Sequence, residues 1–93
     1  MNFDRIGFNA RQAAAELASF KTWMSARPHF SEKEVVPEIA ARRQMACLIG
    51  YTILMPAPDL IKFEFQVKGL FRADLVVGND KSRKFVLVEF EDW

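Results

Sequence analysis

The hydrophobic pattern changes its period at residue 60, and this change constrains the fold more than any other feature of the sequence. In LIKFEFQVKG, the apolar residues Phe63, Phe65 and Val67 alternate with polar ones. Such alternation is typical of a β-strand with one buried face. FRADLVVG and KFVLVEFEDW follow as two further strands, joined by the turn-rich NDKSR. Residues from about 60 to 93 are therefore predicted to form a three-stranded antiparallel meander.

The part of the chain from about residue 8 to residue 50 has a helical pattern instead. Asn9 is placed to cap a first helix and Pro28 to stop it, with apolar residues at helical spacing from Ala13 to Met24. We expect this apolar stripe to face the sheet.

A second helix is predicted in SEKEVVPEIAARRQMACLIGY, ending near Gly50. Ser31 and Glu34 have the spacing of a capping box. Pro37 would clash with the carbonyl group four residues before it in one straight helix. Either a helix begins at Pro37 after a separate first turn, or one helix is kinked there.

Together these patterns predict an α+β fold, with two N-terminal helices packed on the meander, in a single domain of residues 1–93.

The formal net charge of +1 excludes a polycation but allows a local basic patch. Cys47 is the one cysteine, so no internal disulfide can form, and its apolar surroundings indicate a buried side chain. A reducing compartment, the cytoplasm, is therefore expected. No signal peptide or membrane-spanning run is recognisable, so we expect no membrane partner.

Acidic residues cluster at one end of the last predicted hairpin. A loop of about residues 79–84 would place Asp74 opposite Glu89, with Glu91 on the same face of the last strand. Two opposed carboxylates repel each other unless a cation lies between them, and Mg²⁺ is commonly held by one or two carboxylates. The alternative is a solvated strand end, and a register shift of one residue would separate the pair.

The stretch FRADLVVGNDKSRKFVLVEFE resembles the central hairpin of the PD-(D/E)XK nuclease superfamily, in which an Asp begins one strand and an acid-any-Lys triplet lies on the next. More narrowly, FEFQVKGLFRADLVVGNDKSRKFVLVEFED resembles the core of Shedu-type domains, which are associated with anti-phage defence. With the upstream helical part, the resemblance covers roughly residues 20 to 93. It implies a partial restriction-endonuclease-like core and metal-dependent hydrolysis of phosphodiester bonds.

By this resemblance, Asp74 and Glu89 match the two metal-binding acids, the Phe90 carbonyl is a further ligand, and the cofactor is Mg²⁺ or Mn²⁺. Glu91 occupies the position of the lysine, which is a departure from the family pattern. Either Glu91 is a further ligand, or a cation from elsewhere replaces the lysine, or the domain does not cut. Glu34 and Glu64 could add acids to the site, although a helix cap and a solvated strand face explain them as well.

Basic residues near the predicted site are candidates for binding a phosphate backbone or replacing the missing lysine. Lys62, Lys68 and Arg72 are close by strand position, while Arg42 and Arg43 are adjacent on the second predicted helix. Adjacent arginines on a helix are also typical of a solvated edge.

Three functions remain open at this point. The first is a metal-dependent nuclease acting on nucleic acid. The second is a non-catalytic interaction module that keeps the nuclease-like fold. Glu91, in the position of the lysine, favours this second function. The third is a structural domain whose acids are solvated.

The chain ends two residues after Glu91, with Trp93 lacking a following segment to cover it. We therefore expect either a piece of a longer protein or a homo-oligomer in which a second copy covers the apolar edge.

Overall fold

The computed structural model describes residues 3–53 and 57–91 as three α-helices and a four-stranded antiparallel sheet. The elements, in chain order, are β1 (Asp4–Arg5), α1 (Ala10–Ser25), α2 (Glu32–Ala40), α3 (Arg43–Ala46), a 3-10 helix (Cys47–Ile53), β2 (Leu60–Val67), β3 (Phe71–Asn79) and β4 (Lys84–Val88). The predicted α+β class is confirmed, whereas the predicted two helices and three strands are too few. None of the helices in this described part is long and apolar enough to cross a membrane.

Helix α1 begins and packs as the sequence predicts. The side chain of Asn9 accepts a hydrogen bond of 2.9 Å from the Gln12 N–H, which satisfies one of the free amides of the first turn. Ala13 is fully buried, and Leu17 and Phe20 pack against the core. The apolar stripe thus fixes which face of α1 is turned inward.

Helix α2 follows Ser31, but the predicted capping box does not form. Ser31 makes no side-chain cap, and the Glu34 carboxylate instead pairs with Arg27 at 2.9 Å. Pro37 lies inside α2, so neither a helix beginning at Pro37 nor a separate first turn is found. The missing amide of Pro37 removes one helical hydrogen bond, the one to the Lys33 carbonyl.

The predicted long second helix is interrupted at Arg42, which leaves the helical conformation at φ −120° and ψ 65°. Helix α3 starts one residue later and continues as the 3-10 helix, so Gly50 lies within that helix and does not end it. A carboxylate oxygen of Glu16 on α1 accepts the Met45 N–H at 3.0 Å. This contact ties α3 to α1 and gives the chain a physical reason to turn there.

The sheet has the strand order β1-β2-β3-β4, and all neighbouring strands are antiparallel. β1 pairs only with the start of β2, at Leu60 and Ile61. A strand of two residues carries no periodic signal, which explains why the sequence did not predict it. On the helix side of the sheet, Ile61, Leu75 and Val77 form the core with residues of α2 and α3 and with Cys47.

The regular alternation predicted for β2 fails at Glu64, whose φ of 53° is rare for a residue other than glycine. Phe63 packs against the helix-side core. Phe65, expected on the same face, instead stacks on Phe3 at 4.8 Å, and Phe3 stacks on Phe85 at 5.6 Å. The positive φ at Glu64 therefore redirects the side chain that follows it, and an aromatic layer forms on the face away from the helices.

Cys47 is free and fully buried, as predicted, and burial raises the pKa of its thiol to about 11. The folded state therefore binds the thiol proton more tightly than the unfolded chain does. The stability that the protonated thiol contributes to the folded state is fully present below the unfolded pKa of about 9. It is lost as pH rises towards the folded pKa of about 11. We expect the wild type to lose roughly 2 kcal/mol more stability over this interval than Cys47→Ala does.

Urea unfolding of both proteins at several pH values checks this expectation. The two proteins differ only at residue 47, so the difference between the two curves reports on the thiol. An equal loss of stability in wild type and Cys47→Ala would show that the thiol is not the group responsible.

Candidate metal and nucleic-acid site

The register of the sheet brings three carboxylate-bearing residues to neighbouring positions, one on β2, one on β3 and one directly after β4. The β3–β4 pairs end with Leu75 opposite Val88, so the next positions are Asp74 and Glu89. Pairs on either side of Asp74 in the β2–β3 ladder put Glu64 across from it. The turn at residues 80–83 thus gives the register that the sequence predicted for Asp74 and Glu89.

Asp74 is not on a wet strand face. Its side chain is only 6% exposed, and its Oδ2 atom accepts a hydrogen bond of 2.8 Å from the Phe90 N–H. The interpretation of Asp74 as a solvated acid is therefore wrong. Glu89 and Glu91 are exposed, and they lie beyond Val88, where β4 ends earlier than the sequence predicted. The bond from Phe90 holds this non-strand segment against β3.

The Asp74 carboxyl group borders a shallow pocket of about 340 Å³, which we call the Asp74 pocket. Its lining comes from α2 and from the hairpin: Glu32, Lys33, Val36, Pro37, Glu64, Arg72 and Asp74. Lys33 and Arg72 provide positive charge beside the acids. The sequence did not single out Lys33, because only the packing of α2 against the sheet brings it to this position.

A second, larger depression of about 500 Å³ adjoins the first, and we call it the Phe90 groove. Its apolar lining consists of Phe20, Met24, Phe30, Val35, Ile39 and Phe90. Glu32, Glu89 and Glu91 complete the lining. The structure thus brings Glu64 and Asp74 to one depression and Glu89 and Glu91 to its neighbour.

The acidic residues are divided between the Asp74 pocket and the Phe90 groove, which limits the number of ligands available to one metal ion. Among residues 3–53 and 57–91, no three His, Cys, Asp or Glu side chains are grouped closely enough to hold one. The pair Asp74 and Glu89 is a smaller set, of the kind that Mg²⁺ uses when water and phosphate oxygens complete its shell. The residue types fit a hard cation, because carboxylate and carbonyl oxygens are its preferred ligands. Glu34, paired with Arg27, lines neither depression.

The two arginines predicted as phosphate contacts are engaged within the chain. Arg42 pairs with Glu38 at 2.9 Å and donates to the Ser19 hydroxyl at 2.9 Å. Arg43 pairs with Asp4 at 3.0 Å. Arg42 lies in the break between α2 and α3 and Arg43 begins α3, so they do not lie side by side within one helix. Binding of a phosphate group there would have to compete with these ion pairs.

The basic residues of the hairpin lie in different environments. Arg72 lines the Asp74 pocket. Lys68 is exposed in the turn between β2 and β3, with a φ of 29°. Lys62 lies across from Val76, two residues before Glu64, and lines neither depression. Of the three candidates to replace the missing lysine, Arg72 is therefore the one that shares a pocket with Asp74.

No family model matches the sequence, and no curated protein or solved structure shows significant similarity to it. The resemblance to Shedu-type domains, over roughly residues 20 to 93, therefore stays a prediction from the sequence. The prediction made for Trp93 falls outside the residues that the structure describes.

Proposed function

We propose that this domain binds a divalent cation at Asp74 and Glu89 and supports the hydrolysis of phosphodiester bonds in nucleic acid. The observation that carries the proposal is the β3–β4 register, whose last pair, Leu75 and Val88, is followed by the buried Asp74 on one side and the exposed Glu89 on the other. Within the described residues, Asp74 accepts a hydrogen bond only through Oδ2, and Glu89 has no hydrogen bond or ion pair. Oδ1 of Asp74 and both oxygens of Glu89 therefore stay available as ligands.

Each residue of the site has a role in this proposal. Asp74, Glu89 and the Phe90 carbonyl hold Mg²⁺ or Mn²⁺, which supplies an activated water and stabilises charge on the phosphoryl oxygens. Arg72 and Lys33 offset the charge of a phosphate group approaching the Asp74 pocket, in place of the lysine that Glu91 replaces. Glu91 adds a carboxylate beside Glu89 that can accept a hydrogen bond from water.

Nucleic acid would be held mainly through its phosphate groups. Arg72 and the exposed Lys68 are near the proposed cation, whereas Arg42 and Arg43 would first have to leave Glu38 and Asp4. Affinity that depends on such contacts falls as the salt concentration rises, because the counterions that binding releases from the nucleic acid then contribute less free energy. The proposal therefore includes binding that weakens steeply with ionic strength.

Titration with Mn²⁺ by calorimetry tests the cation site. We expect binding by the wild type and at least tenfold weaker binding by Glu89→Gln, a change of about 1.4 kcal/mol. Glu89 is exposed and has no partner among the described residues, so this variant should fold normally. Asp80→Asn is the matched control, because it removes the same charge at the opposite end of the β3–β4 hairpin. Equal affinities in wild type and Glu89→Gln would contradict the site.

Cleavage is tested with plasmid and single-stranded substrates in the presence of Mn²⁺ or Mg²⁺. Activity that disappears with a chelator and in Glu89→Gln supports the enzyme. Cation binding without any cleavage would favour the second candidate function, a non-catalytic interaction module. That candidate is favoured by Glu91 and by the bond from the Phe90 N–H, which gives Asp74 a structural role.

We also propose that the chain forms homo-oligomers. In the described part of the sheet β4 is an edge strand, and its Leu87 is 50% exposed. Leu70 and Phe71 are also exposed, at 79% and 48%. Exposed apolar residues beside an open strand edge favour association with another chain. We expect light scattering to show a mass above that of the monomer, rising with concentration, and a constant monomer mass would contradict this.

The compartment belongs to the proposal as well. Cys47 is unpaired and enclosed by the core, which is consistent with a protein made in the reducing cytoplasm. Labelling by a thiol reagent should be slow for the folded chain and fast after unfolding, since only exposed thiolate reacts readily.

A further inference from the structure

We propose that the Phe90 groove of one copy receives the β2–β3 turn, residues 68–71, of a second copy. This inference rests on the proposed self-association and identifies the two surfaces that meet. It shares Glu89 with the proposed cation site, so its test is made with a chelator present. The occupant is argued from the chemistry of the groove and of the turn, which are complementary in both polarity and charge.

The floor of the groove is apolar and accessible. Phe20 and Met24 of α1, Val35 of α2 and the ring of Phe90 are only partly buried, so the monomer leaves them partly in contact with water. A volume of about 500 Å³ lies within the range of roughly 300–1,000 Å³ that is usual for sites enclosing a ligand. A large aliphatic side chain entering the groove would remove this surface from water.

The rest of the groove lining is acidic. Glu89 and Glu91 are exposed and have no hydrogen bond or ion pair within the described residues. Glu32 lines the groove as well, from α2, and no Lys, Arg or His side chain is part of that lining. An apolar floor with carboxylates beside it is complementary to an apolar side chain next to a positive charge.

The β2–β3 turn presents that combination. Leu70 is 79% exposed, the highest value among the large apolar residues that the structure describes, and Phe71 follows it. Lys68 stands two residues before Leu70 and is exposed. The turn is tight, because Leu70 N–H donates to the Val67 carbonyl at 2.7 Å and Gly69 adopts a φ of 75°. Leu70 is thus held outward on a rigid support, which lowers the entropic cost of docking.

The position of the two surfaces allows a closed dimer. The turn ends at Phe71, three residues before Asp74 on β3. Asp74 accepts the Phe90 N–H, and Phe90 lines the groove. Groove and turn are therefore at the same end of the sheet. Two copies related by a two-fold axis at this end can each insert Leu70 into the groove of the other, and such self-complementary contacts close without forming a filament. Lys68 of each copy then lies against Glu89 and Glu91 of the other.

A charge exchange tests the inference by analytical ultracentrifugation with a chelator present. We expect Lys68→Glu alone, and the double variant Glu89→Lys/Glu91→Lys alone, to weaken self-association at least about tenfold. When the two variant proteins are mixed, both contacts regain opposite charges, so the mixture should associate as tightly as the wild type. Lys81→Glu, in the β3–β4 turn, is a matched control for the lysine change and should have no effect.

The apolar contact is tested separately. Leu70→Asp should also weaken self-association at least about tenfold without loss of the fold, because the side chain is mostly exposed. Leu87→Lys, on the β4 edge, should leave it unchanged. Association abolished by Leu87→Lys but not by Leu70→Asp, or no recovery in the charge-exchanged mixture, would overturn the inference while self-association itself stands. A wild type that stays monomeric overturns both, and neither result bears on binding of Mn²⁺.

Discussion

Asp74→Ala is expected to lower the free energy of unfolding by about 1–3 kcal/mol and to reduce metal-dependent cleavage at least about a hundredfold. The stability cost arises because the partly buried Phe90 N–H loses its acceptor, the Oδ2 atom at 2.8 Å. The catalytic cost arises because one of two proposed carboxylate ligands is removed. A solvated or purely metal-bound acid would instead contribute little to the fold, and its replacement would leave the free energy of unfolding nearly unchanged.

Asp74→Asn separates the two effects. Its amide oxygen can still accept the Phe90 N–H, so the variant should keep most of the stability that Asp74→Ala loses. A neutral amide is a poor ligand for Mg²⁺ compared with a carboxylate, so cleavage and Mn²⁺ binding should fall nearly as far as in Asp74→Ala. Urea unfolding and calorimetry on the three proteins make this comparison. If Asp74→Asn retained full Mn²⁺ affinity, Asp74 would be a structural acceptor only.

Local signals in the sequence predicted the elements that local interactions decide. Asn9 caps α1 because its side chain reaches an amide three residues away, which is a short-range property. The β3–β4 register followed from the length of the turn, since a hairpin loop fixes which residues oppose each other. For this reason the register of β3 and β4 as far as Leu75 and Val88, the pair next to Asp74 and Glu89, could be predicted before the fold was known.

The features that the sequence missed depend on contacts between distant segments. Periodicity assigns a residue to a face of a strand but does not show what covers that face, so the burial of Asp74 was not foreseen. The positive φ of Glu64 reverses an alternation that looked regular. Lys33 reaches the Asp74 pocket only because α2 packs beside the hairpin. None of these three facts has a signature within a short window of sequence.

Gly78→Val is expected to lower the free energy of unfolding by about 3 kcal/mol, as overpacking of a filled site does. Gly78 lies in β3 between Leu60 and Phe85. A Cβ atom at this position would overlap the Phe85 ring, 3.2 Å from its Cγ and nearer to its Cδ1. Phe85 cannot turn aside freely, because it stacks on Phe3 at 5.6 Å. Gly7→Val is the control, since a Cβ there meets nothing within 4 Å.

A double-mutant cycle with Phe85→Ala shows whether the ring is the cause. Phe85→Ala opens the space above Gly78, so Gly78→Val in that background should be neutral or slightly stabilising, given the preference of valine for strands. The expected coupling energy is about 3 kcal/mol, at the upper end of what contacting residues show. Such a value is a large part of the roughly 5–15 kcal/mol that stabilises a small domain. If the stability costs of Gly78→Val and Phe85→Ala were additive, the valine would disturb the backbone of β3 and not the aromatic layer. The layer of Phe3, Phe65 and Phe85 would then be loosely packed and not a second core.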